Sequence, residues 1–339
     1  MREKINIIKD PSADFFGHSV KEFLCHLNGP TWIDISGQDS GRTRVFTTLL
    51  HGNEPSGVKA LFSWLTDPER VMPQTNISFL VCSVKAALVE PEFSHRYLPG
   101  EPDINRCFRP PFDSANGMLA ENILMRIRTL KPEAVIDVHN TSGSGPDFAI
   151  SSTGENIHKS LASVFSSRLV ITALKLGSLM EADVGCPIIT LECGGSFDMS
   201  SDQIALDALR STATFGDLFG IKRKSETDIY THPLRFEIKE NVSIGYGDGP
   251  LPNCDVTLAL DIEKHNFGLT PEDSFLGWVG PEGLDYFTAI DDTGHDITKE
   301  LFVVQGNKIL TAKTLRLFMV TPRPEIAKND CLFYLVTAD

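Results

Sequence analysis

From about residue 40 to residue 220, short continuous apolar runs alternate with helix-patterned segments, and this alternation confines the chain to a small group of folds. The apolar runs are Arg44–Leu50, Ile77–Val81, Ala134–Asp137, Ala149–Ser151, Val170–Ala173 and Ile188–Leu191. Runs of that kind suit strands covered on both faces. Helical patterns lie between them at Ser56–Trp64, with Ser56 as the N-cap, and at Gly117–Thr129 behind Asp113-Ser114. Two more are Asn156–Ser167 and Ser201–Phe219, the latter closing at Gly220. The alternation predicts an α/β fold with a mixed central sheet flanked by helices. Ligands of such sheets bind outside the C-terminal ends of the strands, so chemistry should be sought there.

The character changes after the charged stretch Gly220-Ile-Lys-Arg-Lys-Ser-Glu-Thr227. Beyond it, β-type runs at Leu234–Ile238, Val256–Leu260, Phe302–Val304, Leu315–Val320 and Leu332–Val336 are separated by turn signals such as Gly247-Asp-Gly249 and Gly306-Asn307. A chain of 339 residues exceeds one typical core. The expectation is a catalytic α/β domain over 1–222 and a smaller β-rich domain over 223–339. A net charge of −14 argues against a nucleic-acid binder, although local Arg residues leave an acidic substrate open. No run approaches the roughly 20 apolar residues of a membrane span. Met1-Arg-Glu-Lys-Ile-Asn6 lacks the apolar stretch of a secretion signal. The seven cysteines include no C-x-x-C pair, which argues against a structural zinc or a disulfide scaffold and for reduced thiols in the cytoplasm.

Three strand ends carry reactive residues. His51-Gly-Asn-Glu54 follows the first apolar run, Asp137-Val-His139 follows the third, and Glu192 follows Ile188–Leu191. Two His and one Glu form the ligand set of a catalytic zinc, which keeps its fourth position open for water. Water held there has a pKa near 7, which points to hydrolysis. Singly, each segment has a plainer reading. H-x-x-E serves equally well as a helix cap with a surface charge, and is far less specific than H-E-x-x-H. Asp137 and His139 leave the same face of an extended strand, so Asp137 either orients the imidazole or makes a structural hydrogen bond. The coincidence of all three strand ends favours a site.

The segment Leu50-His-Gly-Asn-Glu-Pro-Ser-Gly57 resembles the first metal motif of the succinylglutamate desuccinylase/aspartoacylase family, a branch of the zinc carboxypeptidase superfamily. The resemblance continues in order through His95-Arg-Tyr97, Asp103-Ile-Asn-Arg-Cys-Phe108, Asp137-Val-His-Asn-Thr141 and Leu191-Glu-Cys-Gly194. It implies one Zn²⁺ per chain held by His51, Glu54 and His139. It also implies Glu192 as the general base that activates water and protonates the leaving amine. Arg96 would polarise the scissile carbonyl, and Asn105 and Arg106 would bind a substrate carboxylate. Asn140 would line the site with them. The implied partner is a small molecule, an N-acyl amino acid of the succinylglutamate type. The same zinc and Glu192 would serve a peptidase or an amidase acting on a peptidoglycan-like amide; a binding protein without catalysis would have no use for a general base. The oligomeric state is not readable from the sequence.

The chain departs from the aspartoacylase pattern in one place. The Arg that binds the acyl carboxylate in that branch should precede the catalytic Glu, but Leu179–Pro187 contains no Arg and holds Glu181 and Asp183 instead. N-acetylaspartate is therefore a poor expectation. Glu181 and Asp183 read as an exposed loop or as partners for a basic group. Tyr246 and Tyr286 are the candidates for the family's late active-site tyrosine. Arg109 reads as surface charge, and Cys193 as a small packing residue.

Overall fold

The computed structural model describes residues 5–220, 226–291, 293–329 and 331–338. The chain divides into two compact units, Met1–Asn140 with Asp147–Ile229, and Thr141–Pro146 with Tyr230–Asp339. Residues 221–225, the centre of the expected charged linker, lie outside the described residues.

The first unit is built on a mixed nine-stranded sheet. Its strands are β1 (Asn6–Lys9), β2 (Thr31–Ile35), β3 (Asp39–Thr48), β4 (Thr75–Val81), β5 (Val135–Thr141), β6 (Phe148–Ser151), β7 (Arg168–Ile171), β8 (Ile188–Gly195) and β9 (Asp228–Thr231), in the spatial order β1-β2-β4-β3-β5-β8-β6-β7-β9. β3 runs parallel to both β4 and β5, whereas β2–β4 and β6–β8 are antiparallel pairs. Helices α1 (Val20–Leu27), α2 (Ser56–Thr66), α3 (Val84–Ala87), α4 (Ala115–Leu130), α5 (Asn156–Phe165) and α6 (Met199–Thr214) complete the unit.

Successive residues of the central strands enter opposite cores, as the pleat demands. Phe46, Phe79, Ile136 and Leu191 pack with Leu61 of α2 and Leu209 of α6. Val45, Leu80, Val135 and Ile188 pack with Ile123 and Ile127 of α4. Both faces are therefore dry, which is why these strands read as continuous apolar runs.

Among the boundaries that differ from the sequence reading, two have a clear physical cause. β3 stops at Thr48 rather than Leu50, because Leu49 takes a left-handed backbone (φ 59°) that no ladder accommodates. α6 stops at Thr214, well before Gly220. The fully buried Arg44 of β3 donates from Nη1 to the carbonyls of Thr212 (2.7 Å) and Phe215 (2.6 Å), while its Nε meets Glu133 at 2.5 Å. A cation from a strand thus closes the helix C-terminus, where carbonyls lack intrahelical partners.

The second unit holds two five-stranded sheets. Phe236 stacks on Phe287 and Phe333 and meets a tilted Phe302, all within 5.0 Å centroid to centroid, in its core. Gly306-Asn307 forms the expected turn, with Gly306 at φ 65° between paired Gln305 and Lys308. The Tyr246 hydroxyl donates to the Thr321 carbonyl, and Tyr286 is buried in this core. No helix among the described residues is long and apolar enough to cross a membrane.

Candidate active site

β3, β5 and β8 are adjacent in the sheet, and the reactive residues leave its C-terminal side from all three. Leu49 turns the chain sharply out of β3. The Ser83 amide and hydroxyl then hold the carbonyls of Leu49 and Leu50 at 2.7 Å each, presenting His51 inward. Gly52 follows because nothing larger fits: a Cβ there would lie 2.6 Å from the His95 carbonyl and 2.7 Å from the Ala87 nitrogen. Its N–H donates to the Arg96 carbonyl at 2.8 Å, tying the loop to the segment that carries Arg96.

His51, Glu54 and His139 are all buried, and their ligand atoms lie within 4.8 Å of one another. The carboxylate of Glu54 sits between the two imidazoles. Its Oε1 is 2.8 Å from His51 Nδ1, and its Oε2 is 2.7 Å from His139 Nδ1. The far nitrogens are held as well. His51 Nε2 meets Asp103 Oδ1 at 3.0 Å, and His139 Nε2 meets Asp137 Oδ2 at 2.9 Å. The Thr47 hydroxyl donates to the other oxygen of Asp137 from the paired position on β3. Each imidazole is therefore clamped by a carboxylate on Nε2, so that Nδ1 faces the centre. Such outer carboxylates fix the tautomer and raise ligand basicity. Two imidazole nitrogens and one carboxylate suit Zn²⁺ chemically.

Charge around the cluster follows from this packing. Burial alone would raise the Glu54 carboxyl, but His51 and His139 outweigh it and hold Glu54 far below the usual carboxylate range. Burial opposes the charged form of His139, yet Asp137 and Glu54 raise its pKa well above the ordinary histidine value. Asp103 is partly buried, and His51 and Arg96 outweigh that burial and hold its carboxyl below the usual range.

Glu192 differs from these. It is buried, and its Oε2 has no hydrogen-bond partner. Burial pushes its pKa up to about 7, against the attraction of His139 and with the nearby Glu54 adding to the rise. An unpaired buried carboxylate oxygen is costly, and it marks Glu192 as a group with a missing partner.

The remaining expected residues are distributed as follows. Arg96 is 35% exposed and bridges Glu54 Oε1 (Nη1, 3.3 Å) and Asp103 Oδ2 (Nε, 3.0 Å). Asn105 accepts from the Leu179 N–H at 3.0 Å, and Arg106 donates from Nη1 to the Asn105 carbonyl. Asn140 points away from open space. Its Oδ1 accepts from the Ser56 N–H, and its Nδ2 donates to Ser56 Oγ and to the Gly194 carbonyl, all at 3.0 Å. Its oxygen and both amide protons are thus engaged within the protein. The expected N-cap role of Ser56 also falls to Asn140: Ser56 is the first helical residue, behind Pro55.

Glu181 does not lie open in its loop. It accepts from the N–H groups of Leu176, Gly177 and Ser178 and from the Ser178 hydroxyl. Asp183 is exposed. The residue that sequence reasoning passed over is Asp103, quoted within a motif but given no role. The available signal is chemical: a ligand imidazole needs an acceptor on its far nitrogen, often a carboxylate, and the sequence reading supplies one for His139 alone.

The sheet and the His-Glu-His set at its strand ends are consistent with the zinc carboxypeptidase-like class of α/β proteins. Residues 40–213, just over half of the chain, match the succinylglutamate desuccinylase/aspartoacylase catalytic domain, and the chain belongs to that family. No curated protein matches it. Its fold is shared with a succinylglutamate desuccinylase/aspartoacylase from Rhodobacter sphaeroides (15% identity, TM-score 0.57, 90% of this chain and 88% of that one). It is shared also with murine aminoacylase 3 (15%, 0.52, 89% and 97%). A third is the ectoine utilization protein EutE (DoeB) from Ruegeria pomeroyi (16%, 0.54, 85% and 82%).

Proposed function

We propose that this protein hydrolyses the amide bond of an N-acyl amino acid, using one Zn²⁺ held by His51, Glu54 and His139 and Glu192 as general base. The observation that carries the reading is the buried His51-Glu54-His139 cluster beside a carboxylate with an unpartnered oxygen. When bound, the metal supplies a Lewis acid and lowers the pKa of water in its open position. Asp103 and Asp137 hold the Nε2 atoms of both imidazoles, so that Nδ1 is the nitrogen each turns inward toward the metal position. Glu192 accepts a proton from the attacking water and returns it to the leaving amine nitrogen, a double task that suits a pKa near neutrality. Arg96 faces the charge that develops on the carbonyl oxygen. Asn105 and Arg106 offer the donors for a substrate carboxylate, with Asn105 oriented by the Leu179 N–H. No step calls on Glu181, which is engaged by its own loop.

Amine release from a panel of N-acyl amino acids and short peptides, with and without a chelator, tests the reading. Chelator-sensitive turnover of N-acyl amino acids is expected. Turnover confined to peptides, or turnover indifferent to chelation, would overturn it.

A further inference from the structure

The engaged amide of Asn140 is the middle of a hydrogen-bonded chain that begins on an outer helix and ends on Glu54. Asp202 of α6 has a 41% exposed side chain. One of its oxygens accepts the Ser56 hydroxyl proton at 2.7 Å, and the other accepts from Lys59 Nζ at 2.9 Å. Ser56 is fully buried. With its proton directed to Asp202, its oxygen can only accept, and it accepts from Asn140 Nδ2. That contact decides the orientation of the Asn140 amide, so that Oδ1 takes the first N–H of α2 and the second Nδ2 proton takes the Gly194 carbonyl.

Fixing this amide fixes the backbone at the point where it matters. The Asn140 N–H lies 3.3 Å from Glu54 Oε2, the same oxygen that meets His139. Gly194 is two residues beyond Glu192 and has φ 100°, a conformation that favours glycine. One side chain therefore ties together the start of α2 behind Glu54, the strand of His139 and the strand of Glu192.

We propose that Asn140 and Asp202 are positioning residues for the metal ligand Glu54, Asn140 through its own N–H and Asp202 through Ser56 and Asn140. This goes beyond the proposed reaction and rests on its metal site. It also separates Asn140 from the substrate-binding role that its place in the motif implies. A residue that binds substrate changes KM. A residue that holds a ligand in place changes metal affinity and kcat.

The test is zinc affinity by chelator competition, together with kcat and KM, for Asn140→Ala, Asp202→Ala and Asp202→Asn. Removing the support of a metal ligand costs about 10–100-fold in metal affinity. Asn140→Ala should fall in that range with KM changed less than about threefold, and Asp202→Ala should weaken zinc binding in the same direction by a smaller factor. Asp202→Asn keeps an acceptor for the Ser56 hydroxyl and should restore affinity to within about twofold of the parent. Asp202 lies on an outer helix, so its two variants carry the test if Asn140→Ala does not fold. The proposal is overturned if Asp202→Ala binds zinc as tightly as the parent, or if Asn140→Ala raises KM alone. A parent protein that binds no zinc would instead overturn the proposed function.

Discussion

Asp103 and Asp137 illustrate how much of the site depends on atoms one layer behind the ligands. Each holds the Nε2 of one imidazole, and Asp103 also accepts from Arg96 and from the Asn105 N–H. Replacing Asp103 by Asn keeps the shape but removes the charge that, in the proposed site, raises the basicity of His51 toward the metal. Zinc affinity, measured by chelator competition, should fall about 10–100-fold; an unchanged affinity would show that Asp103 serves only its loop. At this scale the sequence was legible where chemistry dictates residue type. His51, Glu54, His139 and Glu192 stand out in the sequence because they follow apolar runs and are of residue types that can bind metal or move protons, and the fold gathers the first three into one cluster. Asp103 was not assigned, because its contact with His51 spans 52 positions and no local periodicity encodes it.

The elements show a similar division. Buried strands announce themselves by continuous apolar runs, but their ends are set by partners elsewhere. The left-handed Leu49 ends β3, and Arg44, 168 residues from Thr212, ends α6. Gly57 fixes how α2 lies on β3: a Cβ there would meet Thr48 Oγ1 at 2.2 Å, and Thr48 is fully buried. Gly57→Ala should therefore destabilise by about 1–3 kcal/mol in urea unfolding, the usual cost of overpacking. A variant as stable as the parent would mean that α2 shifts freely. The loop before β8 yields a pH-dependent expectation. Burial would raise the Glu181 carboxyl, but the Ser178 hydroxyl and the N–H groups of Ser178, Gly177 and Leu176 outweigh it and lower its pKa. A carboxyl lowered on folding contributes stability above its unfolded pKa, about 4.3, and loses it as pH falls through the folded value. Glu181→Gln should be less stable than the parent at pH 7, and the gap should close as pH drops below about 4. A gap independent of pH would contradict the charged-acceptor account.

At the level of the whole molecule, every residue assigned to metal or proton transfer belongs to the first unit, as do the supports Asp103, Asp137, Ser56 and Asp202. The second unit has its own aromatic core around Phe236. Its sheets were only half legible. Strands such as Phe275–Val279 and Lys308–Thr311 carry Gly277 and a leading Lys308, which break the apolar run that marks the strands of the first unit. Nor did the sequence show where Tyr246 and Tyr286 lie, since a lone tyrosine among β-type runs carries no register. The central claim is that a metal-holding cluster and a separate base share the work in the first unit. Zinc content and turnover of Glu192→Gln, measured beside the parent protein on an N-acyl amino acid that the parent cleaves, test it most directly. The account predicts full zinc occupancy with turnover lower by about 10²–10⁴-fold. Near-normal turnover, or zinc lost together with activity, would contradict it.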